Sequence, residues 1–153
     1  MEKYDIFIKM TALIVFIVLV SLDRISKYFI IKKLSYGETI KLFGDFLKIT
    51  RVENPGGIFG FFPKGKVFFL GLSIIAIGVL LFFIFKYLKK DPFITIILTL
   101  LLSGVVGNLL DRVIYGSVID FIHVLDFPVF NFSDSYITIG IIIAIFYLWK
   151  KGI

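Results

Sequence analysis

The chain has 153 residues, of which 59% are hydrophobic and 18% aromatic, so its composition lies far from that of an average soluble domain. It has no cysteine and a single histidine, His123, which excludes disulfides, thiolate metal sites, a cysteine nucleophile and an HExxH zinc site. The net charge of +6 fits anionic lipid headgroups better than nucleic acid, because the basic residues lie mostly in loops and at the ends of hydrophobic segments.

Four hydrophobic segments are each close to the roughly 20 residues that a helix needs to cross the core of a bilayer. They run from about Ile8 to Ile31, Val67 to Leu88, Phe93 to Leu110 and Ser135 to Trp149. No small-x-small cleavage site follows the first of them, so we expect it to be retained as a span. The sequence therefore predicts an all-α polytopic membrane protein with four transmembrane helices, and we take residues 1–153 as a single domain.

The first connection, about Lys32 to Lys66, has the pattern of a small β-structure rather than of a linker. Thr39–Phe43 and Phe46–Val52 read as strands, and Gly44-Asp45 between them is typical of a two-residue hairpin turn. We therefore predict a β-structure on the outer membrane face.

The rest of the outward-facing chain extends this prediction. Asn54-Pro55-Gly56-Gly57 indicates a turn, because glycine tolerates backbone angles that other residues avoid. Ile58–Phe62 follows as an aromatic stretch of the kind that favours a membrane interface. The connection Val113–Phe132 alternates in part and could add a strand.

Basic residues indicate how the chain is oriented. Lysines crowd the short second connection and follow the last span, which favours the cytoplasmic side for both; they are Lys86, Lys89, Lys90, Lys150 and Lys151. The first loop is also basic, so this signal is mixed. An even number of spans then places both termini in the cytoplasm and the first and third connections outside.

Asp120 and Asp134 lie in short apolar stretches near the end of a chain built for lipid. A carboxylate among membrane-spanning segments is costly, so it indicates a functional site. Asp134 could instead be the N-cap of the fourth span. Asp120 has no capping role, because it lies within a predicted strand. His123 more simply packs or faces solvent.

Further polar residues lie near the ends of the first and third spans. Asp23 and Lys27 are four residues apart and can pair on one helix face, or can belong to a snorkelling cluster that closes the first span. Asn108 and Arg112 have the same spacing, with Asp111 beside them, and can be interfacial groups. Small or polar residues at i,i+4 allow a neighbouring helix to approach closely; the pairs are Ser103 with Gly107 and Gly104 with Asn108.

Most of these polar residues belong to four motifs in which the chain resembles bacterial lipoprotein signal peptidase (signal peptidase II) over nearly its whole length. The motifs are Asp23-Arg24-Ile25-Ser26-Lys27, Asn54-Pro55-Gly56-Gly57-Ile58-Phe59, Gly107-Asn108-Leu109-Leu110-Asp111-Arg112 with Gly116-Ser117-Val118-Ile119-Asp120-Phe121, and Phe130-Asn131-Phe132-Ser133-Asp134-Ser135. Gly57 and Ser133 each stand where the family usually has alanine, and both changes keep a small side chain.

The resemblance implies that Asp120 and Asp134 are the catalytic pair. It implies a supporting or substrate-binding role for eight other residues: Asp23, Lys27, Asn54, Gly56, Asn108, Asp111, Arg112 and Asn131. The chemistry agrees, because two neighbouring carboxylates share a proton, so that one can activate water while the other polarises the scissile carbonyl. No metal or cofactor is needed for this reaction.

The resemblance also implies a substrate and a location. The expected substrate is a diacylglyceryl-modified prolipoprotein, cut just before its lipidated cysteine, with the acyl chains in a lipid-facing groove between helices. The enzyme is expected in the bacterial cytoplasmic (inner) membrane, as a monomer in contact with lipids and not with nucleic acid. Its active site is expected near the extracytoplasmic face.

Two other classes of protein remain open from the residues alone. A four-span transporter or channel subunit would use Asp23, Asp111, Asp120 and Asp134 along a proton or ion path. Such a path would place acids at several depths, whereas here they cluster at the ends of three spans. A non-catalytic lipid-binding or assembly protein would not need either Asp120 or Asp134.

Overall fold

The computed structural model describes residues 2–56 and 66–152. Gly57 and the predicted aromatic stretch Ile58–Phe62 lie outside the described residues. In chain order the described elements are α1 (Glu2–Lys33), β1 (Thr39–Phe43), β2 (Leu47–Asn54), α2 (Lys66–Tyr87), α3 (Pro92–Ile114), β3 (Val118–Val124) and α4 (Phe132–Lys151).

Four of the described helices are long and apolar enough to cross a membrane, which confirms the predicted fold class. Helices α1, α3 and α4 continue beyond the predicted spans at both ends. Hydropathy marks only the apolar part of a helix, whereas backbone hydrogen bonding continues into polar turns at both ends. The bounds of α2 differ from the prediction by a single residue at each end.

Helix α3 lies at the centre of the bundle and contacts α1, α2 and α4. Half of the residues in its most apolar 18-residue stretch are buried by protein, against 11% in the corresponding stretch of each of the other three helices. Asn108 and Asp111 are therefore enclosed by protein because they lie on the central helix.

Close packing around α3 depends on its small residues, as the i,i+4 pattern predicted. A Cβ atom at Gly104 would collide with the backbone oxygen of Ser133 and would lie 2.7 Å from Cγ1 of Ile137. From the other side, a Cβ atom at Gly140 would lie 2.7 Å from Cδ2 of Leu101. Helices α3 and α4 therefore approach each other at two levels.

The three described strands form one antiparallel sheet in the order β1-β2-β3, so the third connection does add a strand to the predicted hairpin. A hydrogen-bonded turn lies at Gly44-Asp45, with the N–H of Phe46 donating to the backbone oxygen of Phe43 at 3.1 Å, but the loop between the paired strand residues is one residue longer than predicted. Phe43 pairs with Leu47, and three residues connect them, the first being Gly44 with a φ of 55°. This left-handed conformation is one that glycine adopts without steric cost. The second strand runs to Asn54, beyond its predicted end at Val52.

The sheet carries the chain directly into the last helix. Val52 of β2 pairs with Asp120 of β3, and the returning chain forms a bridge between Ile122 and Phe130. Because Asn131 follows that bridge and caps α4, the start of this helix lies against the strand that carries Asp120. The ends of the four helices nearest the sheet are the last turns of α1 and α3 and the first turns of α2 and α4.

Candidate active site

Asp120 is 2% exposed and lies in the middle of β3, as predicted. Each of its carboxylate oxygens accepts a hydrogen bond from an amide side chain. Nδ2 of Asn131 donates to Oδ1 at 2.7 Å, and Nδ2 of Asn54 donates to Oδ2 at 3.2 Å. The amide of Asn54 is itself held in orientation, because its Oδ1 accepts from the backbone N–H of Gly56 at 3.2 Å.

Asp134 lies in the first turn of α4, where it is the third residue after the N-cap. Nδ2 of Asn108 donates to its Oδ1 at 2.7 Å, and the backbone N–H of Asn131 donates to its Oδ2 at 3.3 Å. The interpretation of Asp134 as the N-cap was wrong. Asn131 is the N-cap, and the two residues form a reciprocal capping box in which Oδ1 of Asn131 accepts from the backbone N–H of Asp134 at 2.9 Å.

Two asparagine side chains connect the aspartates. Nδ2 of Asn131 donates to Asp120 and also to Oδ1 of Asn108, at 3.1 Å, while Nδ2 of Asn108 donates to Asp134. Asn131 is fully buried and Asn108 is 7% exposed, so these hydrogen bonds are shielded from water. The structure therefore brings together six of the predicted site residues in one continuous network: Asn54, Gly56, Asn108, Asp120, Asn131 and Asp134.

The electrostatic environment favours a proton on Asp120. Burial raises the pKa of this carboxyl group to about 7, and the negative charge of Asp134 acts in the same direction. The hydrogen bonds from Asn54 and Asn131 stabilise the ionised form and offset part of this effect. Near neutral pH the carboxyl group of Asp120 is therefore partly protonated, which is unusual for an aspartate.

A second buried cluster lies beside the first. Nζ of Lys27 lies 2.9 Å from Oδ2 of Asp23 and 2.7 Å from Oδ2 of Asp111. Lys27 is 1% exposed and both aspartates are fully buried. Because these groups are buried in protein, the interpretation as a snorkelling cluster was wrong, and the prediction that Asp23 and Lys27 pair on one helix face is confirmed.

Arg24 belongs to this cluster, although we did not predict a role for it. Its guanidinium group forms ion pairs with Asp23, at 3.1 Å, and with Asp111. The sequence held one indication of such a role, because Arg24 lies within the first motif, between Asp23 and Lys27. On an isolated helix, however, the side chains of Arg24 and Asp23 point about 100° apart. The contact of Arg24 with Asp111 requires α3 to lie beside α1.

Arg112 lies at the edge of the site rather than within its hydrogen-bond network. One of its terminal nitrogens donates to the backbone oxygen of Asn108 at 3.3 Å, and its guanidinium carbon lies 5.4 Å from the centre of the Phe69 ring. Within the described part of the chain its Nε is buried without a hydrogen-bond partner. Asp134, Asp111 and Asp120 each attract it electrostatically.

His123 packs on the sheet, with Nδ1 at 3.1 Å from Oγ1 of Thr50. Within residues 2–56 and 66–152, no group of three or more His, Cys, Asp or Glu side chains is arranged to hold a metal ion. The candidate site therefore consists of buried carboxylates, asparagine amides and one cluster of ion pairs.

Four apolar helices with a buried pair of aspartates at one end of the bundle define a multi-pass membrane protein with a carboxylate site. The family model for signal peptidase (SPase) II matches residues 15–150. The chain therefore belongs to the signal peptidase II family, whose members are aspartic-type membrane proteases.

Individual relatives agree with the family model. A lipoprotein signal peptidase of Clostridium tetani is 35% identical and covers 91% of this chain and 92% of its own length. One from Staphylococcus aureus is 34% identical and covers 92% and 88%. A solved structure described as a bacterial membrane enzyme superposes with a TM-score of 0.84 at 33% identity, covering 93% of this chain and 89% of its own. A second superposes with a TM-score of 0.80 at the same identity, covering 90% and 92%.

Proposed function

We propose that this protein removes the signal peptide from diacylglyceryl-modified prolipoproteins, cutting before the lipidated cysteine, with Asp120 and Asp134 as its catalytic pair. The observation that carries the proposal is that two buried carboxylates at one end of the bundle are connected by the side chains of Asn131 and Asn108. Family membership supports the substrate class.

In the proposed reaction the pair holds one proton, on Asp120, whose pKa of about 7 favours it. The carboxylate of Asp134 takes a proton from a water molecule while the oxygen of that water forms a bond to the scissile carbonyl carbon. The carboxylic acid of Asp120 donates a hydrogen bond to the carbonyl oxygen as negative charge develops there. When the intermediate collapses, the carbon–nitrogen bond breaks and the leaving amine takes the proton held by Asp134. The products are a carboxylic acid and an amine, and the pair returns to its starting state.

The remaining site residues have supporting roles in this proposal. Asn54 and Asn131 hold the carboxyl group of Asp120, and Asn108 holds that of Asp134. Preorganised hydrogen bonds keep reacting groups in place without reorganisation during the reaction. Gly56 contributes its backbone N–H, which fixes the amide of Asn54.

The position of the lysines supports a location in the bacterial cytoplasmic membrane with the site near the outer face. Lys89 and Lys150 lie at the opposite end of the bundle from Asp120 and Asp134, and lysines favour the cytoplasmic side. The transporter alternative is not favoured. Its four acids, Asp23, Asp111, Asp120 and Asp134, gather at one end of the bundle and do not form a path across it.

The proposal is tested by cleavage of a diacylglyceryl-prolipoprotein in detergent. Asp120→Asn and Asp134→Asn should each abolish cleavage, while Asp126→Asn, which changes an exposed aspartate close in sequence to β3, should leave it unchanged. Thermal unfolding should show that all three variants are folded. Near-normal turnover by either active-site variant would remove that aspartate from the mechanism.

A further inference from the structure

The backbone immediately before each proposed catalytic aspartate is held by a carboxylate of the second cluster. The N–H of Ser133, the residue before Asp134, donates to Oδ1 of Asp23 at 3.1 Å. The N–H of Ile119, the residue before Asp120, donates to Oδ2 of Asp111 at 3.1 Å. The two arrangements are equivalent, although one acceptor lies on α1 and the other on α3.

Two cationic groups connect the two acceptors: the partly exposed guanidinium group of Arg24 and the buried ammonium group of Lys27. Nζ of Lys27 forms ion pairs with Asp23 and Asp111, at 2.9 and 2.7 Å. Lys27, Asp23 and Asp111 are all buried, so these contacts are not weakened by water as a surface ion pair would be. A continuous path thus leads from the backbone before Asp134, through one lysine, to the backbone before Asp120.

This arrangement needs an explanation other than stability. Removing charged groups from water is costly, and replacing a buried ion pair by apolar side chains is often neutral or stabilising. A buried charge network does, however, specify geometry, because each group has few acceptable positions. The contacts of Asp23 and Asp111 with the backbone show which geometry this network specifies.

We propose that Lys27 is a positioning residue for the catalytic pair. Its ammonium group holds the carboxylates of Asp23 and Asp111 at a fixed separation, and through them it sets the separation of the backbone segments that carry Asp134 and Asp120. This inference rests on the proposed function of the two aspartates. Among the described contacts Lys27 forms no hydrogen bond or ion pair with either of them. Its charge also attracts Asp120 electrostatically, and the comparison of charged and uncharged variants separates that effect from positioning.

The test compares Lys27→Met, which removes the charge and keeps the length, with Lys27→Arg, which keeps the charge and changes the shape. Lys32→Met is the matched control, because Lys32 is an exposed lysine near the end of the same helix. Displacement of reacting groups by about 1 Å can cost about 100-fold in rate. We expect kcat to fall by about that factor in both Lys27 variants with little change in KM. The Lys32 variant should retain wild-type values.

Three explanations give different results. If Lys27 acts only through its charge, Lys27→Arg should restore wild-type kcat and the wild-type pH–rate profile. If it serves only stability, both variants should unfold at lower temperature but keep wild-type kcat below that temperature. Either result would overturn the positioning role. A low kcat in folded Lys27→Met and Lys27→Arg, at temperatures where both are stable, supports it.

A second variant covers the case in which Lys27→Met does not fold. Lys27→Met combined with Asp111→Asn removes one charge of each sign, and an asparagine oxygen can still accept the N–H of Ile119. We expect this double variant to fold with low kcat, and a wild-type kcat would contradict the proposal. Asp120→Asn and Asp134→Asn in the same assay separate the two proposals. If they are inactive while the double variant is fully active, only the positioning role fails; if they are active, the proposed catalytic pair fails.

Discussion

Replacement of Gly107 by alanine should separate α3 from its two neighbours at the level of the site. An added Cβ atom would collide with Oγ of Ser133, on α4, and would lie 2.9 Å from Oδ2 of Asp23, on α1. The serine hydroxyl can rotate away. The carboxylate of Asp23 cannot, because it is held by ion pairs with Lys27 and Arg24.

The expected cost follows from two opposing effects. Inserting a methyl group into a well-packed region costs about 1–3 kcal/mol. Alanine in a helix is more favourable than glycine by about 0.5–1 kcal/mol, because glycine loses more backbone entropy. We therefore expect Gly107→Ala to destabilise the protein by about 1 kcal/mol, within a range of about 0–2.5 kcal/mol. For a chain of this length each 1 kcal/mol lowers the Tm by about 2–4 °C.

The chain offers a matched control and a compensating change. Gly78 also lies in a membrane-spanning helix, but nothing lies within 4 Å of a Cβ built there, so Gly78→Ala should be neutral or slightly stabilising. Oγ of Ser133 is buried without a hydrogen-bond partner in the described part of the chain. Ser133→Ala removes that hydroxyl, so it should raise the Tm alone and should reduce the cost of Gly107→Ala in the double variant.

Thermal unfolding in detergent, together with prolipoprotein cleavage, measures all four proteins. Cleavage by Gly107→Ala should fall more than its stability explains, because the displaced helix carries Asp134. The reasoning would be refuted if Gly107→Ala were as stable and active as Gly78→Ala. It would also be refuted if Ser133→Ala and Gly107→Ala were strictly additive, since contacting residues should show a coupling of about 0.5–3 kcal/mol.

Four other outcomes are expected. Because the pKa of Asp120 is raised to about 7, the native state retains a proton that the unfolded chain releases near pH 4; the free energy of unfolding should therefore fall as pH rises from about 4 to about 7. Chemical denaturation across this range should show a weaker fall for Asp120→Asn, and an identical slope would contradict the assignment. Arg112→Lys should lower turnover, because lysine keeps the charge but loses the planar group that packs over Phe69; equal activity would assign Arg112 to helix anchoring. Turnover should survive EDTA, and clear inhibition would count against an aspartic mechanism. A cysteine at Lys41 should react with an impermeant thiol reagent from outside intact cells and one at Lys150 should not, whereas the opposite pattern would reverse the topology.

Hydropathy was sufficient to find the four membrane-spanning helices, because lipid selects for apolar residues along the whole of a span. It could not show that α3 is central, since the four helices are apolar on all sides. The better signal was the set of small residues on α3, of which Gly104 and Gly107 both lie against α4. Small residues mark where helices touch, whereas hydropathy marks only where they meet lipid.

The sheet was predictable in outline but not in its register. Alternation and the turn residues indicated β1 and β2, and partial alternation indicated β3. The pairing of Val52 with Asp120 follows a register shift between Ile49 and Val52 in the β2–β3 ladder, and the β1–β2 ladder has a separate shift between Lys41 and Phe43. Such bulges follow from how a strand accommodates its neighbours, so no local pattern announces them. Beyond the shift in the β2–β3 ladder, Asn54 at the end of β2 lies close enough to Asp120 to donate to its carboxylate.

The candidate site was predictable by residue but not by contact. Motifs and chemistry indicated Asp23, Lys27 and Asp111, yet they did not indicate that Asp23 binds the backbone at Ser133, 110 residues away in the chain. Arg24 was missed for the same reason, because its partner Asp111 lies on another helix. Contacts between distant segments form only when the chain folds. A single sequence can therefore indicate which residues belong to the site, but not which of them contact one another.

Asn131 shows how closely the site and the fold are connected. Its Oδ1 accepts the N–H of Asp134 and so begins α4, while its Nδ2 donates to both Asp120 and Asn108. An amide has one acceptor and one donor end, and both ends are used here. Formation of the α4 cap therefore orients the donor end towards β3 and α3. The first turn of the last helix cannot adopt this geometry without also placing Asp134 in the network that contains Asp120, so helix capping and assembly of the site are the same structural event.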